Sequence, residues 1–206
     1  LYRRAKHALN AKGFWNYMAF YASLGFGFIV VEICLMKRYA LFLGNPAYSL
    51  TTILVALLLS AGIGSLLSEH ISKKNPAKAL NYVVPGIAIA LFIEMFLFPV
   101  VTSNFLYLSF SGRIAVSCLM LTPVGILMGM PFALGMRLLN VLHPDEEENR
   151  RLVACAWGIN AYTTVIGSAA TVFIALYMGF KIALLVAITA YLLGFAAIYT
   201  RGRDIN

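Results

Sequence analysis

Two carboxylates in otherwise apolar surroundings are where chemistry could begin. Glu32 follows Phe28-Ile29-Val30-Val31, and Glu94 stands between Phe92-Ile93 and Met95-Phe96. A carboxylate inside a membrane-spanning segment costs at least about 2.5–3.5 kcal/mol even on the lenient insertion scale, so something must compensate it. Two readings fit. In one, the pair forms a proton, cation or polyamine site; in the other, Glu32 pairs with Lys37 or Arg38 near the interface while Glu94 acts as a neutral hydrogen-bond donor between helices. Asn160, beside Trp157 and Gly158, needs a partner across helices as well, either as polar glue or as part of a site. Together with Asn45, these residues make up the candidate intramembrane polar site, with Lys37 and Arg38 as its candidate charge partners.

Other chemistries lack their residues. His7, His70 and His143 fall at the terminus or in expected loops, so no helical histidine pair can hold a haem, and no cluster has metal-ligand spacing. Cys34, Cys118 and Cys155 lie in apolar segments without paired spacing and read as small buried hydrophobes. There is no phosphate-binding glycine loop and no nucleophile with a base. The acidic run Asp145-Glu146-Glu147-Glu148 reads as a solvated loop rather than a calcium site. No cofactor, no metal and no catalytic residue is expected.

What must position these residues is a membrane-embedded scaffold. Hydrophobic residues make up 61% of the chain and charged ones 12%, against roughly 45–50% and about 25% in a soluble domain. A hydrocarbon core of about 30 Å needs about 20 mostly apolar residues per helix. The chain divides accordingly into about six spans, at 14–36, 47–67, 80–101, 114–135, 153–177 and 179–199. Lys37-Arg38 and the Gly44-Asn45-Pro46 turn are expected to end the first span, and Thr102-Ser103-Asn104 the third. Pro123 and Pro131 predict kinks in the fourth, where neighbours satisfy the freed carbonyls. Residues 136–151 read as the longest loop. Ser60, Gly64 and Ser68, with Ala61 and Ser65 beside them, and Gly125 with Gly129, form small-residue stripes that read as helix packing.

Orientation follows from the basic residues. Arg3, Arg4, Lys6, Lys12, Lys73, Lys74, Lys78, Arg137, Arg150, Arg151, Arg201 and Arg203 share one side, leaving Lys37, Arg38, Arg113 and Lys181 of the 16 Lys and Arg on the other. The richer side is cytoplasmic by the positive-inside rule, and both termini are placed there. Glu32 and Glu94 then lie on outward-running helices at similar depths in the outer leaflet, where they could line one pocket. The net charge of +8 belongs beside the membrane, facing anionic lipid, rather than on nucleic acid. The fold class is an all-α, polytopic transmembrane helical bundle with residues 1–206 as one domain and no internal repeat. The chain opens on Leu1, and its basic, polar start is not a signal peptide; it reads as open to being a segment of something longer.

Four stretches carry a resemblance: Gly25-Phe-Gly-Phe-Ile-Val-Val-Glu-Ile33, Leu41-Phe-Leu-Gly-Asn-Pro-Ala-Tyr-Ser49, Gly129-Met-Pro-Phe-Ala-Leu-Gly-Met-Arg137 and Ala156-Trp-Gly-Ile-Asn-Ala-Tyr-Thr163. In this order they resemble the membrane portion of spermine/spermidine synthase-like integral membrane proteins, in which hydrophobic spans accompany an aminopropyltransferase-like domain. The sequence departs from that pattern at Asn45, where histidine is expected, at Ala133, where a second proline is expected, and at Ala161, where glycine is expected. The acidic residues of the family's soluble domain have no counterpart within these residues, so the resemblance implies a family and not an enzyme. The expectation is a non-catalytic membrane module of a bacterial-type inner membrane, acting as an anchor or accessory subunit. Its expected partners are membrane lipids and another membrane subunit or a soluble domain. The competing expectation is a carrier of a cationic solute through Glu32 and Glu94, and a third is part of a larger membrane-bound aminopropyltransferase-like enzyme.

Overall fold

A computed structural model describes residues 13–72 and 75–202, the last three by backbone alone. Six helices account for nearly all of it: α1 (Phe14–Leu43), α2 (Pro46–Ile71), α3 (Pro76–Phe105), α4 (Phe110–Leu142), α5 (Glu146–Met178) and α6 (Phe180–Gly202), with no strand among the described residues. Each is long and apolar enough to cross a membrane, with mean hydropathy between 1.5 and 2.3. Large side chains on the outside, such as Leu59, Leu66, Val165, Phe173 and Leu176, are exposed as lipid-facing residues must be. The protein is a polytopic helical membrane bundle.

The helices start and stop for local reasons. Gly44 ends α1 at φ 76°, a left-handed conformation open to glycine, and donates its N–H to Ala40 O at 3.0 Å. Asn45 Oδ1 accepts from Ala47 N at 2.9 Å, with Pro46 opening α2. Asn75 caps α3 in the same way ahead of Pro76. Gly179, at φ 85° and ψ 163°, is the single residue between α5 and α6; the expected tight turn depends on a conformation reserved for glycine.

Several expected boundaries move outward. α1 runs seven residues beyond position 36, through Lys37-Arg38, because Arg38 finds partners inside the bundle. α3 continues past Thr102-Ser103-Asn104 to Phe105, since those side chains donate back to Phe98 and Val100 carbonyls one turn earlier. The long loop expected over 136–151 shrinks to residues 143–145. Asp145 caps α5 by accepting from Glu147 N at 3.0 Å and Glu148 N at 2.8 Å, and Glu146, Glu147 and Glu148 fill the first turn. Acidic side chains there complement the helix macrodipole, so the run is a helix start and not a loop. Asp145→Ala is expected to cost about 1–2 kcal/mol, read as a lower unfolding midpoint in detergent.

α4 is continuous as a helix through Pro123 and Pro131. α1 is the most buried helix and packs on α2, α5 and α6, with a lighter contact to α4; α3 lies on the far side, held by α4 and α6. Asn16 Nδ2 donates to Ala197 O at 2.6 Å, so the described ends of the chain lie at one end of the bundle. Of the basic residues used for orientation, Arg3, Arg4, Lys6, Lys12, Lys73, Lys74 and Arg203 lie outside the described residues, as does His7.

The small-residue stripes meet each other. A Cβ on Gly64 would fall on Ile126 O of α4, one on Gly129 would fall on Ala61 O of α2, and one on Gly125 would come within 2.6 Å of Ser60 Cβ. The α2–α4 seam is therefore a backbone-to-backbone contact, which glycine and serine permit and larger residues forbid. Gly25 and Gly167 play the same part between α1 and α5, and Gly194 lets Ser23 approach α6.

Candidate functional site

The densest polar arrangement in the bundle centres on Arg38. On α1 it lies one turn beyond Cys34, on a buried face. Across the gap, α3 presents Glu94, Met95, Phe98 and Pro99. Proline has no N–H, so Pro99 leaves the carbonyl of Met95, four residues earlier, without its helical donor. Arg38 supplies that donor and also reaches Glu94. Its Nη1 donates to Glu94 Oε2 at 2.7 Å and its Nη2 to Met95 O at 3.1 Å. The guanidinium carbon stands 4.4 Å from the centre of the Phe98 ring, a cation–π distance. Tyr39 closes the group, its ring 4.7 Å from Phe98 and its hydroxyl donating to Met120 Sδ at 3.6 Å.

Arg38 is 9% exposed and Glu94 3%. α1 and α3 barely touch through their backbones, so the side chains of Arg38 and Tyr39, reaching Glu94, Met95 and Phe98, join them across the bundle. The internal guanidinium engages Glu94 Oε2, while Glu94 Oε1 is buried with no hydrogen-bond partner among the described residues. At Oε2 Glu94 accepts from Arg38, where a hydrogen-bond donor between helices was expected.

Glu32 stands apart from this clamp. It precedes Arg38 by six residues, which is about 9 Å along the helix axis and about 120° around it. The residue is buried, and among the described residues its side chain makes no ion pair or hydrogen bond. Arg38, expected as its possible partner, belongs to Glu94, and Lys37 is exposed. Glu32→Gln is expected to hold or raise the unfolding midpoint, because no partner is left behind when an unpaired carboxylate leaves the bundle. A marked fall would show that the carboxylate has a partner after all.

The two asparagines go to different places. Asn45 is exposed and serves as the α2 cap, so it takes no part in an intramembrane site. Asn160 lies in the α1–α5 seam, where its Nδ2 donates to Tyr21 O at 3.1 Å. Tyr21 is eleven residues before Glu32, or about 16 Å along α1, so Asn160 and the glutamates do not share a pocket. Beside Asn160 is a cavity of about 180 Å³ between α1, α4, α5 and α6, bordered by Phe28, Met128, Phe132, Thr164 and Tyr191 among others. Neither glutamate borders it.

Sequence reading did not single out Pro99, Phe98 or Tyr191. Pro99 carried a usable signal, because a proline inside a span announces an orphaned carbonyl four residues back that a buried donor must meet. Two further arginines, both from α4, serve helix ends in a similar manner. Arg113 Nη1 donates to Phe42 O at 3.1 Å, at the C-terminus of α1. Arg137 Nη1 donates to Ser72 Oγ at 2.6 Å and Ser68 O at 3.4 Å, at the C-terminus of α2, with Glu69 3.7 Å from its Nη2. Among the described residues no group of three or more His, Cys, Asp or Glu side chains could hold a metal ion. Comparison with known proteins finds no family model, curated protein or solved structure that matches this chain.

Proposed function

We propose that this chain is a non-catalytic membrane module, similar to the membrane part of spermidine synthase-like proteins, that anchors or assembles with a partner protein. The observation that carries the reading is the Arg38–Glu94 pair: two buried charged side chains from different spans are tied to each other. The glycine-lined seams support it too, because they favour a rigid body over helices that slide. In this reading the start of α1 and the end of α6 face the cytoplasm of a bacterial-type inner membrane, on the side of Lys78, Arg137, Arg150 and Arg151. An accessory or anchoring role then places the partner, a further membrane subunit or a soluble domain, on that basic side or along the lipid-facing helices.

The carrier reading loses one of its two carboxylates to Arg38 and retains only Glu32. The deciding experiment is gentle extraction from the native membrane and mass spectrometry of what co-purifies. A stoichiometric protein is the expected result. A lone, unattached chain whose reconstituted vesicles take up a polyamine, and lose that uptake in Glu32→Gln, would replace the anchor with a carrier.

A further inference from the structure

The cavity beside Asn160 has features that helix packing alone does not require. It lies among four helices at the level of Leu24 to Phe28 on α1, and three polar side chains border it: Asn160, Thr164 and Tyr191. In a hydrocarbon environment polar groups are normally satisfied within the protein. Two of these are not. Tyr191 is 1% exposed, yet its hydroxyl makes no hydrogen bond among the described residues. Asn160 uses its amide nitrogen on Tyr21 O, while its Oδ1, able to accept two hydrogen bonds, accepts none from the described residues. Thr164 Oγ1 donates along the seam, to Asn160 O at 2.9 Å and towards Gly25 O at 3.3 Å, so its lone pairs are left to accept.

The remaining wall is apolar and largely aromatic, from Phe28, Phe132, Leu24 and the thioether of Met128. No carboxylate, lysine or arginine borders the space. A volume of about 180 Å³ compares with the roughly 150 Å³ of an engineered cavity that holds one benzene ring. We infer that this cavity is a binding site for an uncharged, oxygen-bearing six-membered ring of the phenol or quinol type, reached from the membrane. The ring hydroxyl donates to Asn160 Oδ1 and accepts from Tyr191, while its carbon face lies against Phe28, Phe132 and Met128. A charged ligand has nothing here to neutralise it, and a purely apolar one leaves both polar groups unpaired.

The chain contains two tryptophans, Trp15 and Trp157. Trp157 packs edge-on against the cavity residue Phe132, with ring centroids 4.7 Å apart. In a Trp15→Phe background, fluorescence therefore reports from the cavity wall. The experiment titrates the intact protein in detergent micelles with 4-bromophenol, a neutral heavy-atom quencher at pH 7, and in parallel with bromobenzene. The expected result is saturable quenching by 4-bromophenol at about fivefold lower concentration than bromobenzene, the worth of one neutral hydrogen bond. That preference is expected to fall to within about twofold in Tyr191→Phe, which keeps the ring, and to weaken in Thr164→Val. Quenching that never saturates would mean partition into the micelle. Equal affinity for the two probes, or a preference that survives Tyr191→Phe, would equally overturn the site.

Discussion

Arg38→Met is expected to destabilise the bundle by about 3–5 kcal/mol, the usual consequence of removing one partner of a buried ion pair. Three interactions go at once: the bond to Glu94, the bond to the Met95 carbonyl exposed by Pro99, and the contact with the Phe98 ring. The larger part of the loss comes from what remains, a carboxylate without a counter-ion among apolar side chains. It follows that Arg38→Met combined with Glu94→Leu should recover most of the stability, because the desolvation of both charges disappears together. The measurement is equilibrium unfolding in mixed micelles for both single variants and the double variant. Simple additivity, with the double variant as weak as the sum of the singles, would show that the two side chains do not act as a pair.

Gly129→Val is the second large effect, at about 3 kcal/mol or more. Its added carbon would fall on the backbone of Ala61, and backbone, unlike a flexible side-chain end, has nowhere to turn. α2 and α4 would have to separate along their whole seam, and Gly64→Val should act likewise from the other side through Ile126 O. Gly62→Ala and Gly158→Ala provide the contrast. Neither position has a neighbouring atom within 4 Å of an added carbon, so both should stay within about 0.5 kcal/mol of the parent. Equal losses at all four positions would mean that glycine matters here for helix flexibility rather than close approach.

The six spans were legible because the solvent imposes them: long apolar runs between short polar breaks have few other solutions in a bilayer. The stripes of Ser60, Gly64, Gly125 and Gly129 were legible for a related reason, since small residues at helical spacing have one common use. Their mutual partnership was not, as spacing within one helix says nothing of which neighbour it meets. The helix ends were misplaced wherever a polar residue had a hidden partner. Lys37-Arg38 looked like a stop because Glu94, 56 residues away, cannot be assigned to Arg38 from sequence. The acidic run after His143 looked like a loop because its Asp145 cap and its macrodipole role are invisible until the helix start is fixed. At the candidate site, the sequence identified the costly groups and missed their distribution: Glu94 in a clamp, Glu32 alone, Asn160 on a cavity wall and Asn45 on a helix cap.

The separation of Arg38 from Glu94 also has a temporal side. At a synthesis rate of about 5–20 residues per second, the 56 residues between them take roughly 3–11 s to emerge. Throughout that interval the nascent α1–α2 hairpin holds a guanidinium without Glu94 and without the proline-exposed carbonyl of Met95 to meet. α1 thus leaves the ribosome well before the residues that fix Arg38, and it settles at its final depth only when α3 arrives.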